Sequence, residues 1–217
     1  MSAPKYELTD ETVEIPVGIE FYRCYRIRAL KSFGTVIEGD LGGFVANEDN
    51  LSHQGDCWVF SEAAVVGQSQ VQDNAQICDR ALVLDNAVIK HRAKVGDNAQ
   101  VCAEGCVDGQ AQVKGNAIVT GSGYVSGTAL VSGYSKVTGW AKVSGDAVVN
   151  GNAQIENTAL VRADACVTGD AVVSSNTIIT GTAHVSGDTD LLVPDVVIDD
   201  ERIIDGKVVS EKRSKAP

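Results

Sequence analysis

Lys90-His91-Arg92, followed at once by Lys94, sets four basic or ionisable side chains within five positions of a 217-residue chain whose net charge is -11. That grouping suits two kinds of chemistry. An Arg fork beside Lys point charges binds the oxygens of a phosphate or a nucleotide. A histidine in the same group can take a proton from an attacking hydroxyl or amine. The chain holds three histidines, His53, His91 and His184, so a general base must be one of these. A third grouping is aromatic and cationic: Tyr124, Trp140 and Lys142 are close enough in sequence to form a recognition patch with a cation over a ring.

The surrounding composition narrows the choices. Aromatics make up only 5% of the residues, whereas glycine is frequent at 22, a profile of many short strands joined by tight turns. The acidic balance speaks against direct nucleic-acid binding, which needs a basic face to displace counterions. No apolar run reaches the roughly 20 residues of a membrane span. The first residues, MSAPKYELTDETVEIPVG, lack the basic start and apolar core of a signal peptide, so the expected address is the cytoplasm. Cys24, Cys57, Cys78, Cys102, Cys106 and Cys166 form no CxxC pair, and neither a metal site nor a bound cofactor is expected from them.

The elements that must position these residues follow from a repeat. From Ala63 to Asp188 the chain reads in 21 unbroken hexads, with Val or Ile at every third position and Ala at 16 of the first positions. The other first positions, Ser69, Gly105, Gly123, Ser135 and Thr177, are small too. Strand side chains alternate, so first and third positions point inward together. The fifth position is Gly in 12 hexads and Asp in four, and Asn recurs at the sixth. Both positions are thereby suited to the left-handed backbone of a tight corner. Three hexads close a triangular coil of 18 residues, and successive coils pair as parallel strands about 4.8 Å apart. Upstream, Val45, Leu51 and Val59 continue the apolar position with Gly55 and Asp56 as two inserted residues.

Hexads such as VGDNAQ, Val95–Gln100, resemble the hexapeptide-repeat family. The resemblance implies an all-β fold, a single-stranded left-handed parallel β-helix; a right-handed triangular helix of the bactofilin type is the alternative. The expected organisation is an N-terminal cap over 1–42, the β-helix over 43–188, a C-terminal cap over 189–210 and a solvated tail over 211–217. The segment GDLGGFVANEDNLSHQGDCWVF, Gly39 to Phe60, is similar to the opening of phage and prophage members of the family that are often labelled transferases on fold alone. Phe44 stands where those members carry Trp.

Family acyltransferases use a His general base at a subunit boundary beside a loop that leaves the helix. His53 and His91 are the matching candidates, but no loop interrupts the run from Ala63 to Asp188. Family carbonic anhydrases hold zinc with three His. Here the separations, 91 − 53 = 38 and 184 − 91 = 93, are not multiples of 18, which does not bring the three together. The reading leans away from catalysis.

In the 18-residue register Tyr124 and Lys142 share one outward column, with Trp140 at a neighbouring corner. Lys90 falls between Gln72 and Asp108, His91 between Asp73 and Gly109, and Arg92 between Asn74 and Gln110. Two accounts of the basic run therefore stand: a charged corner paired with Asp73 and Asp108, or an anion-binding corner formed by Lys90, His91, Arg92 and Lys94. The function expected is that of a non-catalytic binding protein of phage or prophage type in the bacterial host cytosol, acting on a host macromolecule and interfering with a host process such as defence. The alternatives are a sponge for a nucleotide-like signal and an acyltransferase-like enzyme. A homo-oligomer, a trimer first, is the expected state.

Overall fold

The computed structural model describes residues 4–192 and 195–208. Its strands form three sheets of 11, 10 and 8 strands, and the chain visits the sheets in turn. The first sheet begins with a hairpin, β1 (Tyr6–Val17) and β2 (Glu20–Ala29), and continues through β3 (Leu41–Val45) into the coil strands. Subtracting the two hairpin strands from 11 leaves nine turns of a triangular parallel β-helix. Strand pairs repeat at a spacing of 18, as in Lys94 with Gln112 and Tyr124 with Lys142. Among the described residues there is no α-helix, and no helix long and apolar enough to cross a membrane.

The interior is a column of small and β-branched side chains. Ala75, Ile77, Ala81, Val83 and their successors up to Val185 are fully buried, which is why the first and third positions admit so little variation. The three polar first-position residues, Ser69, Ser135 and Thr177, are also fully buried. Ser69 and Ser135 each donate the hydroxyl to the backbone carbonyl three residues back at 2.7 Å, satisfying a group that could not otherwise leave water. Each corner places its fifth residue, and not its sixth, in the left-handed region. Non-glycine examples include Asp79 (φ 61°) and His91 (φ 57°). The sixth position, expected to share that conformation, does not.

The inserted pair is where the sequence placed it. Val45 pairs with Val65 and Leu51 with Val71, a spacing of 20, whereas Val59 pairs with Ile77 at 18. The extra residues are stabilised by Lys5, a fully buried lysine whose ammonium donates to the carbonyls of Gly55 (3.2 Å) and Cys57 (2.9 Å) and lies 4.9 Å from the Phe33 ring centroid. Burial pulls the Lys5 ammonium below its ordinary pKa, against the thiol of Cys57, which draws it the other way. Tyr6, Ile27, Ala29 and Val36 close the helix end over Trp58 and Val59.

Two features differ from expectation. The hairpin does more than cap the end: Val13, Ile15, Val17 and Tyr22 fold over the outside of the first sheet, on Phe44, Ala64, Val66 and Leu84. Arg26 fastens its base, pairing with Glu11 at 2.7 Å and Glu62 at 3.1 Å. At the other end, the segment expected to be a cap continues the helix. Val172 pairs with Asp190, Ile178 with Val197 and His184 with Arg202, completing another turn before Lys207–Val208 folds back antiparallel. The expected tail, 211–217, lies outside the described residues.

Candidate functional site

Asp108 is the centre of the site. It occupies the fourth position of its hexad, one coil beyond Lys90, so its carboxylate points outward between neighbouring turns. Lys90 Nζ lies 3.6 Å from Asp108 Oδ2, and His91 Nδ1 contacts Asp108 Oδ1. From the next coil, the Tyr124 hydroxyl donates to Asp108 Oδ2 at 2.7 Å, and the Gly109 backbone N–H also donates to the carboxylate. Partial burial alone would push the Asp108 pKa up. The hydrogen bonds from Tyr124, His91 and Gly109, with the charge of Lys90, outweigh it and bring the value to about 2. The same bond, assisted by burial and the Asp108 charge, raises the Tyr124 hydroxyl to about 12.

The basic run thus divides. Lys90 and His91 are held by Asp108, whereas Asp73 meets the run through the His91 backbone N–H, which donates to Asp73 Oδ2 at 3.0 Å, and not through a basic side chain. The His91 ring remains 59% exposed. With Nδ1 against a carboxylate, the ring lines a depression of about 600 Å³ shared with Arg92 and Gln110. That is the geometry of an oriented base. Arg92, which borders that depression, also lines an adjoining cleft together with Lys94, Thr35, Asn74 and Gln76.

Asp73 belongs to a series. Asp79 accepts from the Asp97 N–H (3.0 Å), Asp85 from Ala103 (2.9 Å) and Asp97 from Gly115 (2.8 Å), each one coil along. An aspartate at the fifth position therefore pairs a corner N–H on the next turn.

His53 does a structural job. Its Nδ1 accepts the Lys5 backbone N–H at 3.1 Å, and its ring stacks on Tyr6 with centroids 4.4 Å apart. It is far along the helix from His184, and no group of three or more His, Cys, Asp or Glu among the described residues can hold a metal ion. The Tyr124, Trp140 and Lys142 grouping is not brought together as a cation–π unit. Tyr124 is turned to Asp108, and the cation–π contacts of the described residues are those of Lys5 with Phe33 and Arg26 with Phe44. Trp140 stands 68% exposed, and on the coils the residue that matches it is Tyr134, 65% exposed; Phe21, 70% exposed, lies apart on the hairpin. These two sit at sixth positions on the corners at either end of one strip, Ser135–Gly139. Their signal was legible, since an aromatic at the sixth position is out of place among Asn, Thr and Asp.

A family model, the YdcK beta solenoid repeat, matches residues 75–90. The chain's parallel coils have the β-solenoid fold. No curated protein matches the chain.

Proposed function

We propose that the solenoid is a non-catalytic binding scaffold that presents a rigid, acidic, columnar surface to a macromolecular partner. The observation that supports this most is the pair Tyr134 and Trp140, both about two-thirds exposed on a surface otherwise poor in aromatics. Large rings with few rotamers make strong anchors at low entropic cost. Lys136, exposed between them, adds a charge to the strip. The resemblance to phage and prophage proteins supports a bacterial host partner, and with it interference with a host process such as defence. A homo-oligomer, a trimer first, would repeat the strip on each subunit.

The test is affinity purification of the intact chain and of a Tyr134→Ala/Trp140→Ala variant from the same bacterial cytosol, with circular dichroism to confirm the fold. The proposal expects a stoichiometric protein retained by the first and lost by the second. Identical retention by both, or no stoichiometric protein with either, rejects the strip as the binding surface.

His91 favours a second reading, an acyltransferase-like enzyme in which it serves as general base. Its Nδ1 contact with ionised Asp108 and its exposed ring support that role. Acyl-CoA turnover on hydroxyl and amine acceptors, abolished in His91→Ala and lowered in Asp108→Asn, is the expected result. Absence of turnover across the acceptors rejects it.

A further inference from the structure

The two halves of the basic run have different partners, and the difference points to a ligand. Lys90 pairs with Asp108, and the His91 ring contacts the same carboxylate. Arg92 and Lys94 make no ion pair with any described residue, and both line a cleft of about 300 Å³ where the cap loop at Thr35 approaches the coils. Asn74 and Gln76 line it from the preceding coil, and Asp56 from the inserted corner. Asn74 is already oriented: its Oδ1 accepts the Asp56 backbone N–H at 2.9 Å, which leaves its NH₂ as a donor.

We propose that this cleft binds a hydroxyl-bearing phosphate monoester, a sugar phosphate or the sugar-phosphate part of a nucleotide. The Arg92 fork, the Lys94 ammonium and the Asn74 amide supply donors of different reach for the terminal oxygens of one phosphate. The Asp56 carboxylate would repel a bare phosphate, and its use is as an acceptor for a sugar hydroxyl. A simple carboxylate would engage fewer of these donors. The site is independent of the Tyr134–Trp140 strip, so either can fail without the other.

The experiment is calorimetric titration of the full chain, at low salt, with ribose 5-phosphate, inorganic phosphate and ribose. Ribose 5-phosphate is expected to bind saturably, inorganic phosphate more weakly, and ribose not at all. Arg92→Ala/Lys94→Ala should weaken ribose 5-phosphate by about tenfold or more. Asp56→Asn should narrow the gap between the sugar phosphate and inorganic phosphate, and Lys90→Ala should stay within about twofold of the parent. All four positions are on the surface, and circular dichroism verifies each fold. Failure of ribose 5-phosphate to saturate overturns the proposal, as does a loss in Lys90→Ala equal to that in the double variant, which would mean a diffuse field. Equal affinity for ribose 5-phosphate and inorganic phosphate in the parent overturns the role of Asp56.

Discussion

The early coils and the later ones solve the same corner in two ways. From Asp73 to Ala103 the left-handed fifth position is held by Asp, His or Ala, and four aspartates there accept an N–H from the turn above. From Gly109 to Gly151 every fifth residue is glycine, and neighbouring corners lie too close for a side chain. A Cβ on Gly127 would stand 2.8 Å from the Gly145 nitrogen and oxygen. The carboxylate corners accept backbone strain and recover a hydrogen bond, whereas the glycine corners avoid the strain and pack tightly. The basic run and Asp73 lie on the first kind, and the larger depression sits at the boundary, with Gly109 of the second kind on its rim. On the glycine corners it is the sixth residue that carries the side chain, as at Tyr134 and Trp140.

The largest expected effect tests the tight section. Gly127→Val forces a β-branched residue into the left-handed region against neighbouring backbone, and should cost at least about 3 kcal/mol, read as a lowered urea midpoint. In the early section, Asp79→Ala removes the acceptor for the exposed Asp97 N–H and should cost about 1 kcal/mol. Asp79→Gly loses the same bond but relieves the strain at φ 61°, so its cost should fall below about 1 kcal/mol. If Asp79→Gly proves worse than Asp79→Ala, strain relief is not what distinguishes the corners.

The smallest effects concern pH. The Asp108 pKa is depressed to about 2 in the folded chain, so its contribution to stability is present above the ordinary carboxylate range near ~4 and fades as pH falls toward 2. Tyr124 is raised to about 12, so its contribution is present below ~10 and is lost as pH rises through 12. Asp108→Asn should flatten the acid side between pH ~4 and ~2 and weaken the basic side as well. Tyr124→Phe should move the Asp108 titration upward, measured by carboxyl-carbon NMR. An unmoved Asp108 titration would remove Tyr124 from the group.

Most of the framework was readable in the sequence because a hexad carries its own register. Val or Ile at every third position determines which columns stack, and the interruption at Gly55–Asp56 marks itself by breaking the count. The partnership of Asp108 with the basic run followed from the same arithmetic, whereas Asp73 was placed beside the run but bonds its backbone. What escaped was whatever depends on side-chain reach. Tyr124 meets Asp108 diagonally, 16 residues away, and a column drawn at multiples of 18 cannot show that contact. The folded-over hairpin escaped as well, although it left a trace: Val66 and Leu84 are apolar at the fourth position, where most later coils place Ser or Thr, because Val13, Ile15 and Tyr22 keep that face from water. The C-terminal turn was hidden by its uneven spacings.

The three-sheet register makes the molecule count insertions and deletions. Loss of 18 residues from the uniform section shortens the rod by one storey and leaves every surface column continuous. Loss of one hexad, for instance residues 99–104, still seats Val on Val inside, yet turns everything downstream by a third of a revolution. Asp108 would then stand over Leu84 instead of Lys90, and the charged corner would be dismantled with no injury to the core. Whole-coil changes in length therefore keep every remaining column in register, while single-hexad changes reshuffle the surface of an intact rod.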